Sequence, residues 1–232
     1  ETGRAAVNLL TTAIRWHESL LPTIAHRVPR GGWRHAARRI RDAVSIPVAA
    51  TNRINTPEVA EEILAHGDAD IVALGRQMLA DPAFADKAEA GRAAAINTCI
   101  GCNQACVGHR LQYFGVSCIQ HPETGRELIY DHEKQAASVK RSVMVVGAGP
   151  AGLKAAAVAA ARGHHVTLLE QASQVGGQAL LAQKVPGREE FGGIVQNLQR
   201  EAEQAGVVIR TGAAVDAAMI ADQAPDSVVL AT

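Results

Sequence analysis

The chain has 232 residues, room for one or two domains, and 47% of them are apolar, enough to build cores without covalent staples. Basic and acidic residues number 23 each, a net charge of zero, which argues against a nucleic-acid partner held by phosphate neutralisation. No apolar run approaches the roughly 18 residues of a membrane span, and residues 1–20 carry no basic-then-apolar leader, so no membrane partner is expected; low cysteine usage, four in all, fits a reducing, cytoplasmic setting.

Residues 7–14 (VNLLTTAI) form a short apolar run without helical period and predict a buried strand. A loop rich in Pro and Gly follows, from Pro22 to Gly32. Residues 33–44 set Ala, Arg and Ile at helical spacing. A strand is predicted at 46–51 and a helix over Pro57–Ala65, with Thr56 as N-cap and Pro57 at the first helical position. A strand over Ile71–Leu74 runs into Gly75-Arg76, and a helix covers Pro82–Gly91. This β-α-β-α-β-α order predicts a parallel sheet or barrel.

Residues 97–140 lose that rhythm: they carry the cysteines, then a polar connector from Pro122 to Lys140. From Ser142 the alternation resumes, with strand 142–146, helix 151–162, strand 165–169, helix 189–205, strand Val207–Arg210 and an apolar run over Val228–Ala231. The expected organisation is three parts: 1–96, 97–140 and 141–232.

All four cysteines, Cys99, Cys102, Cys106 and Cys118, fall in the pattern C-x2-C-x3-C-x11-C. The close spacings deliver three thiolates from one tight loop, and a short excursion returns the fourth. Four thiolates suit a [4Fe–4S] cluster or structural zinc; a redox-active C-x-x-C pair or unliganded core cysteines are the remaining readings. Zinc ribbons usually pair two C-x2-C knuckles, so three cysteines in eight residues lean toward iron–sulfur.

A second motif starts at the strand 142–146. Gly147-Ala-Gly149-Pro-Ala-Gly152 is a G-x-G-x-x-G turn between that strand and a helix. Gly147 allows the turn, Gly149 lets a pyrophosphate approach the backbone, and Gly152 lets helix and strand pack closely. The helix N-terminus adds unpaired N–H groups. Glu170 closes the next strand, eighteen residues on, where an acid would accept hydrogen bonds from ribose hydroxyls. A glycine pair with Gln178 follows at 176–178, an ordinary turn on the bland reading.

Two arginines stand at consecutive strand ends, in Asn52-Arg53 and Gly75-Arg76. The last strand-end loops of a β/α barrel commonly hold a phosphate, and arginine binds phosphate bidentately; taken singly, a strand-end arginine is more often a surface residue. His17, in Trp16-His17-Glu18, follows the strand at 7–14 and could donate a proton near neutral pH, although a strand-end histidine is more often structural.

Four stretches, WHESLLPTIAHRVPRG (16–31), TNRINTPEVAEEIL (51–64), INTCIGCNQACVG (96–108) and VVGAGPAGLKAA (145–156), resemble bacterial 2,4-dienoyl-CoA reductase. More broadly, the chain is similar to Old Yellow Enzyme-type NADH:flavin oxidoreductases with iron–sulfur and FAD domains, including relatives like trimethylamine dehydrogenase. The resemblance implies an α/β architecture: the C-terminal part of a (β/α)8 barrel holding FMN, a [4Fe–4S] loop segment, and a partial Rossmann-like domain for FAD and NAD(P)H. It implies that Arg53, Gly75 and Arg76 bind FMN, that the four cysteines ligate the cluster, and that Gly147, Gly149, Gly152, Glu170 and Gln178 bind FAD. His17 matches a histidine that partners a tyrosine in protonating substrate. Arg15 replaces a glycine usual before Trp-His-Glu.

The expected activity is NAD(P)H-dependent reduction of an unsaturated, dienoyl-CoA-like small molecule. Alternatives are an amine dehydrogenase or N-demethylase, toward which Pro122–Glu127 (PETGRE) leans, and an electron-transfer module without substrate site. The chain reads as a slice of a larger enzyme and is expected to be inactive alone.

Overall fold

In the computed structural model, residues 28–130 and 135–232 are described. The predicted strand at 7–14 and His17 lie outside the described residues. Parallel strands alternate with helices in two sheets. The first part opens with helix α1 (Arg34–Arg41), then strand β1 (Ala49–Ala50), helix α2 (Pro57–Ala65), strand β2 (Ile71–Val72), helix α3 (Arg76–Ala80) and helix α4 (Phe84–Glu89). Strands β1 and β2 pair in parallel, Ala49 with Ile71 and Ala50 with Val72.

Helix α2 has its predicted bounds. The Thr56 side chain accepts a hydrogen bond from Val59 N, and Pro57 needs no N–H partner at the first position. The predicted strand at 46–51 shrinks to two residues. Pro47 has no N–H to give a ladder, and Val48 N donates to Asp70 Oδ2 at 2.9 Å rather than to a neighbouring strand. The predicted helix 82–91 shortens to α4, because Asp81 Oδ1 accepts from Ala83 N at 3.1 Å and holds Pro82 in a turn. Ala37, Ala50, Ile54, Ala60, Ile63 and Ala69 form the small core of this part.

Residues 104–108 make one wide turn that runs into helix α5 (His109–Leu111), and α6 (Glu127–Tyr130) follows. The second sheet then forms from β3 (Ser142–Val146), α7 (Pro150–Ala161), β4 (His165–Glu170), α8 (Ala179–Ala182), α9 (Gly192–Gln204), β5 (Val208–Thr211), α10 (Ala217–Gln223) and β6 (Ser227–Leu230). All its strands are parallel, in the order β5-β4-β3-β6. That is the doubly wound order, with the topological switch between β3 and β6. Helices α8 and α10 lie where no element was predicted. Asp216 caps α10 by accepting from Met219 N at 2.8 Å.

The second core gathers Val145, Leu153, Ala156, Leu168, Ile194, Leu198 and Ala202, all nearly or wholly buried. Ile100, between the first two cysteines, is 3% exposed and belongs to this core. Burying one such side chain stabilises by about 1.5–3 kcal/mol, so the cysteine loop is anchored to the second sheet. Among the described residues no helix is long and apolar enough to cross a membrane.

Candidate functional site

Two consecutive residues at the end of β1, Asn52 and Arg53, have left-handed backbones with φ of 76° and 57°. Asparagine tolerates that region; arginine enters it at a cost. The conformation turns the Arg53 side chain inward, where it is 2% exposed. Its Nε donates to Val28 O at 3.0 Å and a terminal nitrogen to Glu190 Oε1 at 2.6 Å. Glu190 lies 137 residues away, on the short turn before α9.

A pocket at these strand ends is lined by Thr51, Asn52, Arg53, Gly75, Arg76 and Cys99, among others. Gly75 precedes α3, and the space beside its α-carbon is open. Three residues expected to share a site, Arg53, Gly75 and Arg76, therefore do share one cavity.

The four cysteines line a second cavity with Arg76, Ile100 and Asn103. Arg76 and Cys99 thus stand in the wall between the two spaces. The loop folds so for identifiable reasons. Asn103 takes a left-handed conformation, Gly108 N closes the wide turn on Asn103 O at 2.8 Å, and Ser117 N donates to Ala105 O at 2.9 Å. That last bond brings the excursion back and delivers Cys118 to the other three. Arg76 hydrogen-bonds Asn103 Oδ1 from the far side.

None of the four cysteines is joined to another in a disulfide. Burial pushes the Cys99 thiol up, against an opposing pull from the Gly101 N–H and the Arg76 charge. Burial likewise pushes Cys102 up to about 11, opposed by the Gln104 N–H. Cys118 rises for the same reason, opposed by the N–H groups of Gln120 and His121. Each of these three sulfurs thus has a backbone donor favouring its thiolate, in surroundings that resist a bare charge. Among the described residues, no three or more Cys, His, Asp or Glu side chains cluster closely enough for a single metal ion.

Buried amides hold the loop, and sequence reasoning missed them. Asn55 Nδ2 donates to Cys99 O at 2.8 Å. Gln77 accepts from Cys99 N at 2.8 Å and donates to Asn97 O at 3.1 Å. From α9, Asn197 Nδ2 donates to Gln120 Oε1 at 2.7 Å, and Gln120 donates to Thr98 O at 3.1 Å. Arg200 donates to Ile96 O at 3.1 Å. Asn197 alone left a signal, a polar residue on the helix face that carries Ile194 and Leu198.

At the switch point, Gly147 has φ 99°, and a β-carbon there would stand 2.6 Å from Ala231 O. Gly149 is in an extended conformation just before α7, with open space beside it. The Glu170 carboxylate accepts from Ala148 N at 2.7 Å and Ala172 N at 2.9 Å, which fastens it to the glycine turn. Gly177 packs against Gly149, and Gln178 is exposed at the start of α8.

The sequence profile of the NADH:flavin oxidoreductase / NADH oxidase family matches residues 8–95, and that of NAD(P)-binding Rossmann-like domains matches residues 145–210. Residues 8–95 belong to the NADH:flavin oxidoreductase / NADH oxidase family, and the chain is like flavin oxidoreductases of the Old Yellow Enzyme and trimethylamine dehydrogenase kind. The chain is 42% identical over 230 residues to an NADH oxidase of Thermoanaerobacter brockii, spanning 98% of this chain and 35% of that one. The structure superposes on 2-naphthoyl-CoA reductase, in complex with 2-naphthoyl-CoA, with a TM-score of 0.85 at 33% identity, covering 94% of this chain and 33% of that one. It matches histamine dehydrogenase from Rhizobium sp. 4-9 with a TM-score of 0.85 at 29% identity, covering 90% and 31%. The chain spans about a third of the length of each of these relatives.

Proposed function

We propose that this chain is part of an iron–sulfur flavoenzyme that passes electrons from NAD(P)H through FAD and a [4Fe–4S] cluster to FMN. The enzyme reduces the C=C bond of an unsaturated, dienoyl-CoA-like substrate. The observation that carries the reading is the wall shared by the strand-end pocket and the thiol cavity, formed by Arg76 and Cys99. In this reading, residues 1–96 are the flavin barrel, 97–140 the cluster segment and 141–232 the nucleotide-binding part. The three barrel strands expected in this chain cannot close a barrel, so the chain alone is expected to be inactive.

The residues fit these groups. Arg76, with the open Gly75 backbone, would hold the FMN phosphate, and Arg53, at the preceding strand end, would bind FMN facing the flavin. Thiols spread around a cavity suit a cluster, in which each sulfur reaches a different iron, better than one zinc ion. The backbone donors at three sulfurs support thiolate ligation. Gly147, Gly149 and Gly152 with the N-terminus of α7 would hold the FAD pyrophosphate, Glu170 the ribose, and Gln178 the adjoining part. His17 would supply the proton to substrate. When bound, the flavins exchange hydride or single electrons and the cluster carries single electrons, which joins two-electron partners that cannot touch.

Cys102→Ala in the whole protein is the test. NAD(P)H should then reduce FAD but no longer FMN; FMN reduction at the native rate would sink the relay.

A second reading, an amine dehydrogenase or demethylase running electrons from substrate toward the cluster, is supported by the equal structural similarity to histamine dehydrogenase. Stopped-flow mixing separates the two. An enoyl thioester should reoxidise the reduced FMN of a reductase, whereas a methylated amine should reduce the FMN of a dehydrogenase. Whole protein purified without FMN would favour a pure electron-transfer module.

A further inference from the structure

Arg53 is expected to face the flavin, yet its charge is neutralised from the turn before α9. Glu190 Oε1 receives two arginines: Arg53, almost wholly buried, at 2.6 Å, and Arg30, 37% exposed, at 3.2 Å. The other oxygen, Oε2, is buried with no hydrogen-bond partner among the described residues. The carboxylate is therefore fixed by its pairs to the arginines rather than by a wider network. A buried ion pair responds strongly to loss of one member, because the survivor keeps an uncompensated charge.

We propose that Glu190 is a positioning residue for the flavin pocket: from the turn before α9 it holds the Arg53 guanidinium and sets how much positive charge the pocket presents. Arg30 adjusts the same device from the outside, by drawing Glu190 away from Arg53. The inference rests on the reading of the strand-end pocket as an FMN site. A reduced flavin carries more negative charge than an oxidised one. Unshielding Arg53 therefore favours the reduced form, and strengthening the Glu190–Arg53 pair favours the oxidised form.

The test uses the whole protein with its cofactors. FMN dissociation constants are measured by equilibrium dialysis of oxidised and of fully reduced protein, with FMN told from FAD by chromatography. Glu190→Gln, close in shape, should raise the ratio of the oxidised to the reduced constant several-fold. Arg30→Gln, at a partly exposed position, should lower it. Opposite signs are not what loss of packing yields, and the Arg30 variant stands if the Glu190 variant does not fold. Ratios within twofold of wild type for the folded variants would overturn the inference while leaving the FMN reading intact. Wild-type protein that binds no FMN would overturn both.

Discussion

At Gly152 a β-carbon would overlap the Gly147 carbonyl oxygen and press on the Ala231 side chain at 3.3 Å, because α7 starts directly above the end of β3. A β-carbon at Gly149, three residues earlier, would meet nothing within 4 Å. The two glycines are thus constrained by different things, one by the fold and the other by whatever fills the space. Gly152→Ala should destabilise by about 1–3 kcal/mol and also weaken FAD binding, read by urea unfolding and FAD titration. Gly149→Ala should leave the unfolding midpoint nearly unchanged and still weaken FAD. Equal stability losses in the two variants would contradict this division.

Strand β3 is held to the turn before β6 by one carboxylate. Asp226 Oδ2 accepts from Ser142 N at 2.7 Å and Ser142 Oγ at 2.8 Å, and Asp226 N donates back to Ser142 Oγ at 3.0 Å. The Ser142 N–H and hydroxyl hold the Asp226 carboxyl below the usual carboxylate range. A depressed folded-state pKa contributes stability that is fully present above the unfolded value of about 3.9 and fades as pH falls through the folded value. Asp226→Asn should therefore lower the Tm at neutral pH, and the gap from wild type should close below about pH 3.9; a gap independent of pH would refute the assignment. Elements of this kind were largely legible in the sequence. Helix α2 and strand β3 have the bounds that their caps and apolar runs dictate. The misses share a physical cause. Helix α3 follows the predicted apolar strand Ile71–Leu74 with only Gly75 between them, so local pattern could not separate the two. Strand β1 is short because a side chain from 22 residues away takes its amide, which no local pattern records. In the site, residues with a chemical signature stood out, whereas Asn55, Gln77 and Glu190 act through partners 20 to 160 residues distant.

Across the whole molecule, the cysteine loop is the keystone between the sheets. Ile100 plugs the second core, and Asn55 and Gln77 hold Cys99 from the first part. Asn197 and Arg200 reach the loop from α9. Asn197→Leu removes the donor to Gln120 Oε1 and leaves a buried acceptor unpaired. The expected cost is about 1–3 kcal/mol, with faster amide exchange concentrated in residues 96–120 rather than spread over β3–β6. Uniform acceleration across the protein would show that the network does not localise the coupling. The same arrangement has a consequence for how this region can change. Gly75, Arg76 and Gln77 are consecutive, yet the first opens the strand-end pocket, the second reaches Asn103 and the third holds the Cys99 amide. Each residue of a helix turns the chain by about 100°. One inserted or deleted residue would therefore misdirect all three at once, whereas exchanging a single side chain disturbs only one. The stretch between β2 and Cys99 should thus tolerate spelling changes far better than changes of length.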